Sequence, residues 1–392
     1  MRVLLSDLFF PNKFAKWRIS EIHSFIHKYE TDIYKFLQLD SFSKVSYDFD
    51  WKTLYDSHNL NIFDIYIFDH KYIDLQKYND PDFDGTKFIG KFPGSYLLRI
   101  KKYRKTPILF QNYDCYYFIF KICYDYFIKS YQINRNKCFI HLYPGGGAGS
   151  IEQINQYTKI LSNQGAKFII TDGRIYENLL KIIPHSSMIY TPCATLCIEN
   201  EPLNIKLFTP DRPLNICFSS MGDPKVKGFY LYESFINKYL EKFPNHQINF
   251  YACGNCDKYS NNPNIIFKHA LPQKELDIFY NQIVDIYINL NQSKDLQGFP
   301  LGGESMLQGC IVLTTDISNQ NGKYLTLNES DGVFIVEPNQ NDQIINIVCD
   351  LYENRLKCYE LGIQAQLFSH KIFGYENQQA KIFDFIESFH SK

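Results

Sequence analysis

The chain has 392 residues, 41 Lys+Arg against 42 Asp+Glu, and a formal net charge of -1. At roughly 100–200 residues per domain this length calls for two domains or one large one, and a hydrophobic fraction of 45% rules out wholesale disorder. Charge so evenly balanced argues against a protein whose main task is holding nucleic acid, which needs a basic excess to neutralise phosphates.

The sequence holds 30 Tyr and 33 Phe but only 2 Trp. With abundant Asn, Ile and Lys this reads as codon bias, so single aromatics are core filler rather than stacking platforms. The 11 cysteines run from Cys115 to Cys358 without framework spacing, as expected of reduced thiols in a cytosolic-type compartment. The opening MRVLLSDLFFPNKF is broken by Asp7 and lacks a small-residue cleavage site, so no signal peptide is expected. The most apolar long stretch, Tyr116 to Ile128, contains Lys121 and Asp125 and is too short and too charged to span a bilayer. A cytoplasmic protein is expected.

In chain order, Arg2 to Leu5 reads as a strand and Trp17 to Tyr29 as a helix, with Trp17, Ile19, Ile22, Phe25 and Ile26 at helical spacing. FDIYIFD, within Asn61 to Asp69, is a buried strand, and Asp80 to Gly94 a surface loop. From Lys137 the alternation is regular: strand CFIHLY, glycine loop PGGGAGS, helix Ile151 to Leu161, strand Lys167 to Thr171, helix Ile175 to Ile182, strand Ser187 to Thr191. Alternating strands and helices of this length imply a parallel sheet with helices on both faces. Pro192 to Pro213 is the candidate linker. Beyond it come strand Leu214 to Ser220, a long helix from Lys227 to Phe243, strands INFYACG and NIIFKHA, a helix opened by Pro272, and strand Val284 to Leu290. A short helix, Glu304 to Gln308, is stopped by Gly309. Strands Cys310 to Asp316 and Gly332 to Val336 follow, and helix runs from about Asn341 onward.

Two doubly wound α/β domains in tandem follow from this order: residues 1–204, residues 205–370, and a C-terminal helix at 371–392 that can cross back to the first domain. Ligands of such sheets bind beyond the carboxyl ends of strands, so a cleft between the two domains is the expected site.

The segment QGFPLGGESMLQGCIVLTTD, Gln297 to Asp316, carries most information. It reads as a glycine loop leading into a short helix and a buried strand, with N–H groups at a helix start able to hold an anion. Gly298, Gly302 and Gly303 allow close approach, and Glu304 at the helix start can accept hydrogen bonds from sugar hydroxyls. An ordinary strand–loop–helix turn, with Glu304 complementing the helix dipole, fits the same pattern.

This segment resembles the donor-binding signature of retaining GT-B glycosyltransferases of the family 4 type. G-F-P at Gly298 to Pro300, E-S-M-x-x-G at Glu304 to Gly309 and I-V-L-T-T-D at Ile311 to Asp316 carry the likeness. F-S-S-M-G-D-P-K-V-K-G (Phe218 to Gly228), Y-A-C-G (Tyr251 to Gly254) and H-A-L-P-Q-K-E-L (His269 to Leu276) extend it backwards in order. The sequence departs from the family at Gln297, where the family has a Glu, and at Gly222, where it has an Arg. PNKFAKW replaces the usual glycine pair after the first strand.

The resemblance implies a GT-B fold, two Rossmann-like domains facing a central cleft, and transfer of a sugar from a nucleotide-diphosphate donor with retention. It implies Lys227, with Lys225, on the diphosphate, Glu304 on donor hydroxyls, and Gln297, Gly298, Phe299, Pro300, Leu301, Gly302 and Gly303 around sugar or phosphate. His141, at the end of strand CFIHLY, falls where the family has a histidine that contacts the donor sugar; a packed strand-end histidine is the plainer reading. Gly145, Gly146 and Gly147 would form an acceptor-side loop. The expected donor is a nucleotide sugar and the acceptor a glycan or lipid-linked glycan; no nucleic acid, metal or resident cofactor is expected, since cationic side chains and helix N-termini can stabilise the leaving diphosphate.

Other readings stay open. A degenerate GT-B protein that binds nucleotide or glycan without catalysis fits the two departures. Gly145-x-Gly147-x-Gly149 also fits the loose glycine pattern of methyltransferases, whereas G-x-G-x-x-G fails at Ser150 and a P-loop lacks its Lys. Cys253-x-x-Cys256 lacks the second pair that a structural zinc needs. The basic cluster Lys101 to Lys105 is a solvated face, or, beside the aromatic stretch from Tyr116, a contact with an anionic membrane surface.

Overall fold

The computed structural model describes residues 1–7, 16–37, 65–69, 113–130, 132–142, 150–192, 203–220, 224–225, 227–271, 273–290, 300–315, 327–337, 340–374 and 377–390. The chain divides into two compact units. One comprises Met1–Thr191 with Gln378–Lys392, the other Pro192–Asn377.

Among the described residues, the first unit is built on a parallel sheet of seven strands. They are β1 (Arg2–Asp7), β2 (Glu30–Leu37), β3 (Ile65–Asp69), β4 (Cys115–Ile119), β5 (Cys138–Leu142), β6 (Lys167–Ile170) and β7 (Met188–Tyr190), in the order β3-β2-β1-β4-β5-β6-β7. Helices α1 (Lys16–Lys28), α2 (Lys121–Ser130), α3 (Ile151–Asn163) and α4 (Gly173–Leu179) belong to it. Strands β2 and β3 lie to one side of β1 and the remaining four to the other, so the winding reverses between β1 and β4.

Tyr116 to Ile128 is not one aromatic surface segment. It is β4 followed by α2, and Tyr116, Tyr117, Phe118, Ile119, Cys123, Tyr124 and Phe127 are all buried. Their burial agrees with reading the aromatics as core filler. Lys101 to Lys105 lie outside the described residues. No helix among the described residues is long and apolar enough to cross a membrane.

A late helix completes this unit. In α10 (Gln379–Glu387), Phe383 meets the Phe25 ring edge-on at 5.1 Å, and Glu387 accepts from Tyr29 Oη at 2.7 Å. Just beyond it, Phe389 packs on Phe139.

Among the described residues, the second unit carries six parallel strands in the order β10-β9-β8-β11-β12-β13. They are β8 (Leu214–Ser220), β9 (Ile248–Gly254), β10 (Ile265–Lys268), β11 (Ile286–Asn289), β12 (Ile311–Thr314) and β13 (Val333–Ile335). Its helices are α5 (Phe229–Lys242), α6 (Gln273–Gln282), α7 (Pro300–Leu307), α8 (Asn341–Glu353) and α9 (Arg355–Phe373). The apolar stripe of α5, Leu231, Tyr232, Phe235, Ile236 and Tyr239, packs on the buried residues of β8 and β9. Here the winding reverses between β8 and β11. Residues 204–213 are tied to this unit: Arg212 bonds Asp285 at 2.6 Å, and Asn204 accepts from Asn281 and Gln366.

Two sequence readings change. α7 begins at Pro300, so Gly302 and Gly303 lie in a helix rather than in a glycine loop, and Glu304 sits one turn in rather than at the start. α5 begins at Phe229, which puts Lys227 in the turn before it.

Candidate functional site

The second sheet reverses its winding between two paired strands, β8 and β11 (Ile286 against Ile216, Ile288 against Phe218). Ligand crevices of open α/β sheets form at the carboxyl ends of such a pair, because the two connections leave in opposite directions. From β8 the chain reaches the N-terminus of α5, and from β11 that of α7.

The two connections touch at their roots. Gly228 caps α5 with φ +82, and a Cβ there would overlap the Leu290 carbonyl at the end of β11. Only glycine meets both demands, the left-handed backbone and the close approach. The glycine of K-V-K-G is thus fixed by packing. Gly254 is a second case: with φ +95 it lies against the Ser220 carbonyl, the last residue of β8.

Lys227 directly precedes this cap. Burial pushes its ammonium down to about 8, since a charge removed from water is penalised. A phosphate placed beside it would raise that value again. Lys225 is exposed, with Nζ 5.6 Å from the Tyr259 ring centroid.

The start of α7 offers a second positive pole. Pro300 has no N–H and is suited to a first helical position. Leu301 and Gly302 follow in the first turn, where N–H groups have no intrahelical acceptor. Two glycines in one turn are poor helix formers, each about 1 kcal/mol worse than Ala. Glu304 is buried, and its charge contributes to keeping the Tyr287 phenol protonated after burial itself. Gln297, Gly298 and Phe299 lie outside the described residues.

In the first unit, Asp7, Ile119 and His141 stand in register across β1, β4 and β5 at their carboxyl ends. His141 is only 2% exposed. Its Nδ1 lies 2.6 Å from Glu21 Oε1 and 2.9 Å from Tyr117 Oη, and Tyr117 also donates to Glu21. Both contacts fall on Nδ1, so the ring is held in one orientation. Burial, then the Glu21 charge, keeps Tyr117 a phenol. Carboxylate, phenol and imidazole form one buried network. Glu21 and Tyr117 are absent from the sequence reading. The signal available was Glu21 itself, a carboxylate four residues before Phe25 on the apolar stripe of α1.

Gly145, Gly146 and Gly147 lie outside the described residues. Ser150, which breaks the dinucleotide glycine pattern, has a local task. It caps α3, accepting from Gln153 N while Gln153 Oε1 accepts from Ser150 N at 2.9 Å. Cys253 and Cys256 are buried free thiols, and among the described residues no group of three or more His, Cys, Asp or Glu is placed to hold a metal.

No protein-family model matches the sequence, and no curated protein matches it. Solved structures are similar along the whole chain. HepE of Anabaena, solved with UDP and glucose, gives a TM-score of 0.65 at 13% identity, over 99% of this chain and 100% of its own. A variant of S. aureus TarM, solved with UDP, alpha-GlcNAc-glycerol and fondaparinux, gives 0.65 at 11% identity over 98% and 99%. A glycosyltransferase from Rickettsia africae gives 0.59 at 12% identity over 99% and 98%. At these identities the likeness is one of fold. That fold is GT-B, two Rossmann-like α/β domains in tandem, as in glycosyltransferases.

Proposed function

We propose that this chain is a glycosyltransferase, moving a sugar from a nucleotide-diphosphate donor to a glycan or lipid-linked acceptor with retention of configuration. The observation that carries the reading is at the reversal point of the second sheet. There the partly buried Lys227 and the N-terminus of α5 follow β8, and α7 begins beyond the neighbouring strand β11. Such a place suits a diphosphate. The UDP bound by HepE and TarM supports a uridine nucleotide as the first donor to try.

In this reading Lys227 and Lys225 neutralise the diphosphate as it leaves, and the N–H groups of Leu301 and Gly302 hold sugar or phosphate oxygens. Glu304 accepts from donor hydroxyls. His141, oriented by Glu21 and Tyr117, serves the sugar from the first domain, with Gly145 to Gly147 on the acceptor side. Charge on the departing group is met by fixed cations and helix dipoles, so neither a metal nor a resident cofactor takes part. The protein works in the cytoplasm, and a lipid-linked acceptor would bring it to the membrane face.

The test is a panel of nucleotide sugars in thermal-shift and hydrolysis assays. The expected result is stabilisation by one nucleotide family, slow release of nucleoside diphosphate without acceptor, and a product of unchanged anomeric configuration. No response to any nucleoside diphosphate would sink the reading. Stabilisation without release would favour a non-catalytic binder, which Gln297 and Gly222 in place of the family's charged residues make the second reading.

A further inference from the structure

Asp285 stands one residue before β11, at the amino end of the second sheet, opposite Lys227 and α7. Among the described residues three cations meet its carboxylate: Arg212 Nη2 at 2.6 Å, Arg355 Nη2 at 3.6 Å and Lys206 Nζ at 3.8 Å. Two of them are fully engaged. Arg212 also donates to the Ile283 carbonyl and to Thr209 Oγ1, each at 2.6 Å. Lys206 Nζ donates to the carbonyls of Val284 and Tyr280, while its stem lies on Gly309, where a Cβ would collide with it.

Arg355 differs. Its Nε and Nη1 are buried with no hydrogen-bond partner, a costly state for a guanidinium. Asp285 turns toward Arg212 and the Asn215 N–H, which it accepts at 3.0 Å. Three positive charges and one negative leave an excess of positive charge around a small pocket lined by Lys206, Leu207, Thr209, Asp285, Arg355 and Tyr359.

We propose that this pocket is an anion site for a phosphate group, separate from the donor site. A phosphate dianion would offset the excess charge and accept a charge-assisted hydrogen bond from Arg355 Nε or Nη1. A terminal phosphate is the group that would enter the pocket, with the rest of its molecule outside. Its source is a soluble phosphate ester or a lipid headgroup; Leu207, 81% exposed at the rim, would meet the lipid in the second case.

The test uses the whole protein and inorganic phosphate, titrated calorimetrically against chloride at constant ionic strength. Lys227→Ala, which removes the donor-site cation, should keep a millimolar phosphate site that adding Arg355→Gln weakens at least tenfold, with nucleotide binding unchanged in Arg355→Gln alone. Co-sedimentation with phosphatidic acid vesicles separates the sources. Binding that falls at least tenfold in both Arg355→Gln and Leu207→Asp assigns a lipid headgroup; phosphate binding without vesicle binding assigns a soluble ester. Wild-type protein that prefers phosphate no more than chloride overturns the proposal, whatever the variants do. So does phosphate binding that Arg355→Gln leaves intact or Lys227→Ala abolishes.

Discussion

His141 in the first unit and Lys227 in the second are both withdrawn from water, but by different means. His141 is gripped by Glu21 and Tyr117, so its ring has one orientation. The lowered pKa of Lys227 comes from burial, beside a glycine cap and a helix N-terminus. The first arrangement fixes geometry, and the second carries the electrostatic cost of burying an ammonium. The difference teaches where each side chain should show itself: Lys227 in charge-dependent binding, His141 in the alignment of a reaction.

Lys227→Ala should give the largest effect, a fall in turnover on the order of 100-fold, typical of removing one electrostatic stabiliser. Turnover within about twofold of wild type would remove Lys227 from the mechanism. Glu304→Ala should weaken nucleotide binding by about 1.5–3 kcal/mol, the range for a hydrogen bond to a charged group; an unchanged dissociation constant in a folded variant would leave Glu304 a packing residue.

Glu21→Gln should lower turnover by about tenfold, the lower end of what a charge-assisted hydrogen bond contributes. Nucleotide affinity should hold, and the ¹⁵N spectrum of the imidazole should show a change of tautomer. Loss of nucleotide affinity in step with turnover would mean that the network supports the fold and does not orient His141.

The contrast also has a pH signature. A lysine whose folded pKa lies below its unfolded one binds fewer protons when folded, so the contribution of Lys227 to stability rises as pH climbs from about 8 toward 10.5, against the opposite contribution of buried thiols such as Cys115 and Cys217, whose pKa values burial raises. Donor affinity should move the other way, falling above about pH 8 as the ammonium of the free protein is lost. Lys227→Ala should flatten the affinity curve, and a wild-type affinity independent of pH from about 7 to 9.5 would contradict the assignment. The smallest effect is expected of EDTA, which should leave transfer unchanged; a strict need for Mn²⁺ or Mg²⁺ would refute the metal-independent mechanism.

Much of the architecture is legible in the sequence because strands such as CFIHL and LNICFSS are short apolar runs punctuated by glycine or proline. The failures have local causes. Tyr116 to Ile128 hides a strand-to-helix turn because the chain bends at Phe120, a non-glycine residue with φ +87, and no Gly or Pro marks it. Strand β2, polar at Glu30, Thr31, Asp32 and Lys35, follows α1 after a single residue and carries no turn signal. The start of α7 is concealed by Gly302 and Gly303, where tertiary context overrides propensity. At the candidate site, Lys227 and Gly228 are legible because motif and neighbours are contiguous. Glu21 is not, because its partner His141 lies 120 residues away in sequence.

The helix that closes the first unit, α10, is made after the whole of the second. Until Phe383 emerges from the ribosome, Phe25 and Tyr29 lack their covering ring. Residues 192–377 form an uninterrupted unit that can fold as soon as it is free of the exit tunnel. At about 5–20 residues per second, the first unit waits on the order of ten to forty seconds for its last piece. During synthesis, the half made first is the half finished last, with an apolar face that needs shelter in the interval.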